Sequence, residues 1–250
     1  MTKINPYHTA QAGWIRFKNK AGLYTAFTVF SIIVSLVIAT AASSIGSIFT
    51  FNTFFQTTVM ALIAGAFGGL LNIGYAHFAR ADEQGVIVEF GNFLEGFKSH
   101  VRSLVLVMVA TVILSQLSTL VMPVELREFQ LTEEQTQDME LLLMAAEDLS
   151  EAVNANIFGT YGYVFLSLFL SIAFMFAPYF ASLEGEDAIN ALLRSVSLSL
   201  RHFMRIFLTI ALTLLVAIPF LVITLGFGVL IVIPVLQLVS YDIYAQLTQE

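Results

Sequence analysis

Cysteine is absent from the 250 residues of this chain, and charged residues are scarce. The lack of cysteine excludes a disulfide framework, thiolate metal ligands and a cysteine nucleophile. Charged residues make up 12% of the sequence and hydrophobic residues 58%, whereas a soluble globular domain has about a quarter of its residues charged. This composition excludes an ordinary soluble domain and indicates a protein whose surface faces lipid.

Sequence motifs for nucleotide binding and for common hydrolases are missing as well. The chain has no P-loop, no GxGxxG fingerprint, no G-x-S-x-G elbow and no HExxH zinc motif. Its four histidines, His8, His77, His100 and His202, are expected near one membrane face, where solvated side chains are a better interpretation than a metal site. We therefore expect no catalytic residue, no metal and no cofactor.

Six apolar runs are long enough to cross a bilayer as helices, because about 20 residues span the roughly 30 Å hydrocarbon core. The first four are residues 23–43, 55–76, 104–122 and 161–181. The last two share residues 206–240, which a predicted turn at 224–228 divides, since glycine tolerates positive φ and the flanking Pro219 and Pro234 limit helical hydrogen bonding. The predicted fold class is an all-α, polytopic membrane protein with six transmembrane helices.

Basic residues lie almost entirely on one side of the six predicted spans. Ten of the eleven Lys and Arg residues fall on the side of the N-terminus, and only Arg127 falls on the other side. Because Lys and Arg near span ends stay in the cytoplasm, both termini are predicted to be cytoplasmic. A signal peptide cleaved near residues 39–41 is the less favoured alternative, because the first apolar run is longer than a usual signal-peptide core.

Three basic, amphipathic segments each precede an odd-numbered span. The segments are residues 7–22, 86–103 and 192–207. On a helical wheel their apolar residues separate from their basic ones, and a shift of 102 residues superimposes His100 on His202. We predict a single membrane domain, 1–250, with three pseudo-repeats, each an interfacial amphipathic helix plus a helical hairpin. The repeat units are residues 7–85, 86–187 and 188–250.

The basic faces of these segments are predicted to bind anionic lipid headgroups while the apolar faces enter the acyl boundary. Packing of the apolar faces on the ends of the bundle is an equally open alternative. The predicted headgroup-binding residues are Arg16, Lys18, Lys20, Lys98, Arg102, Arg194, Arg201 and Arg205. Five acids at the exits of the even spans are expected to cap helices and neutralise the basic faces rather than to perform acid–base chemistry. They are Asp82, Glu83, Glu184, Glu186 and Asp187.

The second span contains a ladder of small residues, Ala61, Gly65 and Gly69. Such a ladder allows two helix backbones to approach closely, and packing inside the bundle is favoured over a dimer interface. Asn72 and Gln116 are predicted as a buried polar pair between the second and third spans.

The loop between the third and fourth spans, residues 124–158, carries nine acidic residues and one arginine. It is predicted to be extracytoplasmic and helical, because Thr132 and Gln135 fit a capping box. A stripe of apolar residues follows: Met139, Leu142, Ala146, Leu149 and Val153. The favoured role is a solvated lid, and docking of a membrane-protein partner is the alternative.

Four segments resemble a known family. They are GWIRFKNKAGL (13–23), FLEGFKSHVRSLV (93–105), FAPYFASLEGEDA (176–188) and AINALLRSVSLSLRHF (188–203). Through them nearly the whole chain resembles a poorly characterised bacterial family of six-span integral membrane proteins, related to the membrane domain of glycerophosphoryl diester phosphodiesterases. The catalytic barrel of those enzymes is not present, so no phosphodiesterase residue is implied. The resemblance implies a location in the bacterial cytoplasmic (inner) membrane.

The predicted function is that of a non-enzymatic integral membrane protein that organises or supports a membrane process. Its expected partners are membrane lipids and a membrane protein at the outer loop, without nucleic acid. The predicted spans have no ionisable residue at mid-depth, which argues against ion-coupled transport. An uncoupled transporter or channel-like protein for a lipid or small amphiphile is the alternative, which an enclosed polar path near Asn72 and Gln116 would favour. An enzyme would require the interfacial histidines and acids to converge.

Overall fold

A computed structural model describes residues 5–46, 53–129 and 138–248. In these residues the chain is helical and contains no strand, so the predicted all-α class is confirmed. The α-helices of the described residues are α1 (Pro6–Asn19), α2 (Ala21–Gly46), α3 (Thr53–Glu83), α4 (Val101–Ser115), α5 (Val124–Glu128), α6 (Met139–Ala155), α7 (Ile157–Phe174), α8 (Ala177–Leu183), α9 (Ala188–Ile223) and α10 (Val229–Thr248). Two 3₁₀ helices cover Phe90–Phe97 and Gln116–Leu120.

Six segments of the described chain are long and apolar enough to cross a membrane. They are Ala21–Ile45, Gln56–Glu83, Val101–Leu120, Ile157–Leu183, Ala188–Ile223 and Val229–Thr248. Each overlaps a run predicted from the sequence, so the prediction of six spans is confirmed. The chain therefore has the architecture of a multi-pass membrane protein.

The predicted turn between the last two spans is also present. Helix α9 ends at Ile223 and α10 begins at Val229. Between them, Leu225 has a φ of 50° and Gly226 a φ of 87°, and the Thr224 hydroxyl accepts a hydrogen bond from the Gly228 N–H at 2.8 Å. Positive φ at Gly226 is inexpensive because glycine has no Cβ.

The three amphipathic segments differ from one another in structure. The first is α1, which ends at Lys20, where φ is −134° and ψ is 32°. The second is the 3₁₀ helix Phe90–Phe97 and not an α-helix; two glycines in that stretch lower its α-helical propensity. The third is continuous with its span in α9, but the backbone at His202 is non-helical, with a φ of −121°. His100 likewise has a φ of 52°, so the backbone is irregular just before the first and third spans and inside the fifth.

The described chain forms two compact units, whereas the sequence predicted a single domain. The first unit comprises residues 1–112 and 172–250, and the second comprises residues 113–171. These limits do not follow the predicted repeat boundaries. The second unit contains the described helices of the acidic loop together with the adjoining parts of α4 and α7.

An aromatic cluster joins α2, α3 and the first 3₁₀ helix in the core of the first unit. The Phe93 ring stacks between Phe27 and Phe78, with centroid distances of 4.2 Å to each. Tyr24 and Tyr75 meet the same ring edge-on. All five side chains are buried, and stacked or edge-to-face aromatic pairs add stability beyond the area that they bury. The cluster fixes the 3₁₀ helix against the α2–α3 hairpin.

Helix α1 packs on α10 along one of its faces. A Cβ on Gly13 would lie 2.6 Å from Val239 Cγ2 and 3.0 Å from the Val239 backbone nitrogen. Phe17, one turn further along, is buried, whereas Trp14 and Ile15 are exposed. The face of α1 that carries Gly13 and Phe17 therefore packs on the bundle, which is one of the two predicted alternatives.

In the second unit, α6 begins at a different cap from the predicted one. Asp138 is its N-cap residue and accepts a hydrogen bond from the Glu140 N–H at 2.8 Å. The predicted capping box, Thr132 and Gln135, lies outside the described residues. Ala145 is the buried residue of α6, whereas Ala146, the stripe residue beside it, is exposed. The stripe residues Met139, Leu142 and Leu149 are exposed.

Candidate functional site

Helices α1, α3 and α10 bring their charged residues together at one end of the first unit, which we call the charged end. Arg16 Nη2 lies 2.5 Å from Glu83 Oε1 and 2.9 Å from Asp242 Oδ1. The Tyr241 hydroxyl donates to Glu83 Oε2 at 2.7 Å, and the Arg16 guanidinium lies 5.6 Å from the centre of the Tyr241 ring. Arg16, Glu83 and Tyr241 form the first Arg–Glu–Tyr triad, with Asp242 as a second carboxylate.

A second triad has the same chemistry. Arg194 Nη1 lies 2.8 Å from Glu184 Oε2 and also pairs with Glu186. The Tyr244 hydroxyl donates to Glu184 Oε1 at 2.5 Å, and the Arg194 guanidinium lies 4.3 Å from the centre of the Phe180 ring. Arg194, Glu184 and Tyr244 are the second Arg–Glu–Tyr triad.

Both triads depend on one turn of α10. Tyr241 and Tyr244 are three residues apart on that helix, a spacing that places side chains next to each other on one face. Each hydroxyl donates to a carboxylate, and hydrogen bonds to charged groups contribute roughly 1.5–3 kcal/mol each. A single helical turn thus links the exit of α3 to the loop that precedes α9.

A cavity of about 310 Å³ is lined by the glutamates and tyrosines of both triads. Glu83, Tyr241, Glu184 and Tyr244 line it together with Arg80. Arg80 Nη1 donates to the Leu183 carbonyl at 2.7 Å. The cavity therefore offers a guanidinium, two carboxylates and two tyrosine hydroxyl groups at the charged end, together with the Thr248 hydroxyl and the Gln84 amide. Such a set can bind a polar group and orient it, because the guanidinium, the carboxylates and the tyrosine hydroxyls are each held by a neighbour.

The charge states of two residues outside the spans follow from their partners. Burial lowers the pKa of Arg16, but the carboxylates of Asp242 and Glu83 outweigh it, so the net pKa is raised and Arg16 stays protonated. The pKa of Asp187 is lowered, first because its carboxylate accepts the Asn190 N–H and also because it accepts the Ile189 N–H. Asp187 is the N-cap of α9, as expected for a carboxylate at a helix start.

Four of the five acids at the exits of the even spans neutralise a basic residue or cap a helix, as predicted. Glu83, Glu184 and Glu186 pair with arginine and Asp187 caps a helix. Asp82 forms no salt bridge within residues 5–46, 53–129 and 138–248.

Two of the predicted headgroup-binding cations are engaged inside the protein instead. Arg16 and Arg194 form the two triads, because carboxylates from the span exits lie within ion-pair distance of them. Lys98 lies 2.9 Å from Glu95 in an exposed pair three residues apart. The remaining five form no salt bridge with any residue that the structure describes. They are Lys18, Lys20, Arg102, Arg201 and Arg205.

The small-residue ladder faces the third span. A Cβ on Gly65 would lie 2.7 Å from Val112 Cγ2, and a Cβ on Gly69 would lie 2.5 Å from the side chain of Met108. These two glycines therefore allow α4 to pack closely on α3. Ala61 is half-buried.

One member of the predicted buried polar pair is not buried. Asn72 is exposed and lines a groove, because its helix face is not fully covered by neighbouring helices. Gln116 is half-buried at the start of the second 3₁₀ helix and belongs to the second unit. Their pairing stays a prediction.

The histidines occupy separate environments. His77 Nε2 lies 2.8 Å from the Ser182 hydroxyl. His100 packs over Gly185, where a Cβ would lie 2.6 Å from the His100 ring, and Gly185 has a φ of 74°. Across the described part of the chain, no group of three or more His, Asp or Glu residues is placed to hold a metal ion.

Sequence reasoning missed Asp242 and the role of the two tyrosines. The signal was present in YDIY (241–244), because an acid between two tyrosines near the end of an apolar span requires polar partners. The basic residues of α1 were available as those partners. Without the fold, however, nothing indicated that α1 packs on α10.

Comparisons with known proteins add no relative to this picture. No protein-family model, curated protein or solved structure matches the chain. The resemblance to six-span bacterial membrane proteins therefore stays a prediction, and function has to be argued from the geometry of the charged end.

Proposed function

We propose that this chain is a non-enzymatic integral membrane protein that binds anionic lipid headgroups at its charged end and so organises or supports a membrane process. The observation that carries this proposal is the division of the cations into two sets. Arg16 and Arg194 are neutralised by carboxylates, whereas Lys18, Arg102 and Arg201 are exposed and form no salt bridge in the described chain.

We propose that lipid headgroups meet the cations that form no salt bridge. Lys18 and Lys20 lie just before the start of α2, Arg102 lies in the first turn of α4, and Arg201 and Arg205 flank the irregular residue in α9. Each Lys or Arg near an anionic leaflet contributes about 1 kcal/mol to lipid binding. Together, five such residues supply a substantial attraction for anionic lipid.

The carboxylates at the charged end are bound by other groups of the protein, which supports the non-enzymatic part of the proposal. Glu83 and Glu184 each accept a tyrosine hydroxyl and pair with an arginine, and Asp242 pairs with Arg16. A general acid or base needs a carboxyl that can reach the proton of a substrate. These carboxylates are instead occupied by protein groups.

The proposed orientation places the charged end in the cytoplasm of a bacterium, with the spans in the inner membrane. It is supported by the excess of Lys and Arg at that end. Arg127, the one basic residue predicted on the other side of the membrane, donates to the carbonyls of Thr119 and Met122 at 2.8 and 3.3 Å. The irregular backbones before α2, α4 and in α9 support the proposed threefold repeat.

The test is to change Lys18, Lys20, Arg102, Arg201 and Arg205 together to Gln in the full chain. Binding of fluorescent phosphatidylglycerol and of fluorescent phosphatidylcholine to the protein in nanodiscs is then measured. Loss of even two contacts of about 1 kcal/mol each weakens phosphatidylglycerol binding about 30-fold. Phosphatidylcholine binding should not change.

The matched control is Arg127→Gln, which removes a cation from the opposite side. It should keep the wild-type preference for phosphatidylglycerol. The proposal fails if the five-residue variant and wild type prefer phosphatidylglycerol equally, or if the control loses the preference to the same extent.

A second candidate function is an uncoupled transporter or channel-like protein for a lipid or small amphiphile. One observation favours it, namely that Asn72 lines a groove within the spanning part of the first unit. A flux assay with a labelled lipid in proteoliposomes separates the two functions, because lipid binding at the charged end alone produces no flux.

A further inference from the structure

A groove in the membrane-spanning part of the first unit carries hydrogen-bonding side chains. Its volume is about 230 Å³. Asn72 from α3, Tyr179 from α8, and Gln237 and Ser240 from α10 contribute the polar groups. Among the described residues that line it there is no Lys, Arg, Asp or Glu. The groove is therefore polar but uncharged.

Three of the four polar side chains are free to hydrogen-bond to a ligand. The Ser240 hydroxyl donates to the Leu236 carbonyl at 2.9 Å. The side-chain amides of Asn72 and Gln237 and the hydroxyl of Tyr179 have no hydrogen-bond partner among the residues that the structure describes. Two amides offer both donors and acceptors, and the hydroxyl can act as either.

The depth of the groove makes these unpaired groups unusual. Asn72 precedes Glu83 by 11 residues on α3, which is about 16 Å at 1.5 Å per residue. Gln237 precedes Asp242 by 5 residues on α10, which is about 7 Å. In a hydrocarbon core roughly 30 Å thick, the groove reaches from near the charged end to about the bilayer centre, where little water is available.

We propose that this groove binds an uncharged glycerolipid of the diacylglycerol type. Its free hydroxyl and ester carbonyls would hydrogen-bond to the amides of Asn72 and Gln237 and to the Tyr179 hydroxyl. A phosphate at this depth would need a cation, and none lines the groove. An uncharged lipid satisfies the amides without that requirement.

The size and apolar walls of the groove fit part of such a lipid. Pockets that enclose a whole drug-sized ligand measure about 300–1,000 Å³, whereas this groove measures about 230 Å³. It therefore encloses the glycerol region and the first methylenes, and the acyl chains continue into the bilayer. Ile73, Met108 and Met175 form apolar walls, and flexible methionine side chains adapt to an irregular chain.

This site is separate from the headgroup contacts of the proposed function. None of Lys18, Lys20, Arg102, Arg201 and Arg205 lines the groove. The variant that lacks all five should therefore keep diacylglycerol binding while it loses phosphatidylglycerol binding, so failure of one proposal is distinguishable from failure of the other.

The experiment uses photoactivatable diacylglycerol with the full chain in phosphatidylcholine nanodiscs. The double variant Asn72→Leu with Gln237→Leu removes both amides and adds side chains that are favourable in lipid. The matched control, Gln116→Leu, removes an amide from a span outside the groove. Saturable labelling of wild type and control is expected, with half-saturation about tenfold higher in the double variant, the equivalent of about 1.4 kcal/mol.

Three results would overturn the proposal. One is equal labelling of wild type and double variant, and another is an equal loss in the Gln116→Leu control. The third is equally strong labelling of the same peptides by a photoactivatable phosphatidylglycerol, which would assign the groove to charged lipids. If the double variant unfolds, Asn72→Leu alone decides, because its side chain is exposed; unchanged labelling of that variant overturns the proposal as well.

Discussion

Changing Arg16 to Met removes a guanidinium that forms ion pairs with two carboxylates. Its Nη2 lies 2.9 Å from Asp242 Oδ1 and 2.5 Å from Glu83 Oε1. The Asp242 side chain is 5% exposed, and its Oδ2 has no hydrogen-bond partner among the described residues. The variant therefore leaves Asp242 as a buried carboxylate without a cation.

The expected loss of stability follows from the burial of the two pairs. Removing one partner of a buried ion pair costs roughly 3–5 kcal/mol. Arg16 is itself 19% exposed, so the lower limit of about 3 kcal/mol applies. The pair with Glu83, which is 39% exposed, adds only about 0.2–1 kcal/mol. For a chain of this size each kcal/mol lowers Tm by about 2–4 °C, which gives about 6–12 °C.

The assay is a double-mutant cycle on the purified full chain in detergent. Apparent Tm is measured at one scan rate for wild type, Arg16→Met, Asp242→Asn and the double variant, since unfolding of such chains is often irreversible. Asp242→Asn removes the charge that requires Arg16, so the double variant should lose at least about 2 °C less than the sum of the single losses, an interaction of 1–2 kcal/mol. Arg127→Met serves as the control for loss of a cation.

Two outcomes would refute this reasoning. One is additivity, in which the double variant loses as much as both single variants together. The other is a loss below about 2 °C in Arg16→Met, which would mean that Asp242 finds water or another donor when the guanidinium is removed.

The remaining predictions concern the aromatic core and the start of α9. Phe93→Ala removes the ring that stacks on Phe27 and Phe78 and should cost roughly 3–5 kcal/mol, a fall of at least about 6 °C in the same assay; the exposed Phe158 changed to Ala is the control and should lose little. The pKa of Asp187 is lowered from 3.8 by hydrogen bonds of the folded state, so its stabilisation is present above pH 3.8 and lost as pH falls through the lower folded pKa. The Tm difference between wild type and Asp187→Ala should thus be constant from neutral pH to about pH 4 and shrink below it; a difference that grows on acidification would contradict the assignment.

The spans and the last turn could be predicted from the sequence because their causes are local. Each span is an uninterrupted apolar run of sufficient length, and length and hydropathy are properties of the run itself. The turn at 224–228 depended on Gly226, which the structure places at positive φ. The predicted start and end of each span were less accurate, since helices continue beyond the apolar run into polar residues such as Glu83.

The triads could not be predicted because their partners are distant in the chain. Arg16 and Asp242 are separated by 226 residues, and nothing in the sequence near Arg16 distinguishes it from Lys18. From charge alone, both residues were therefore predicted to bind lipid headgroups. The acids at the span exits were correctly expected to neutralise basic residues, but their individual partners depended on how α1 packs on α10.

Periodicity alone also failed for the second amphipathic segment and for Asn72. The spacing of Phe90, Leu94 and Phe97, at i, i+4 and i+7, predicted an α-helix, but the tighter 3₁₀ helix forms there. An amide in an apolar run indicates that a partner is needed, but it does not tell whether that partner is another side chain or a lipid. Tertiary packing decides both which type of helix the segment forms and what the amide contacts.

The long separation of Arg16 from Asp242 has a consequence for biosynthesis. At about 5–20 residues per second, a ribosome adds the 226 intervening residues in about 11–45 s. During that interval the first span can already be in the membrane while the guanidinium beside it has neither Asp242 nor the Tyr241 ring. Arg16 must then remain in water or on a phosphate group of the bilayer until the last helix is inserted. The residue that forms an internal ion pair in the folded protein therefore begins as a contact with the membrane surface.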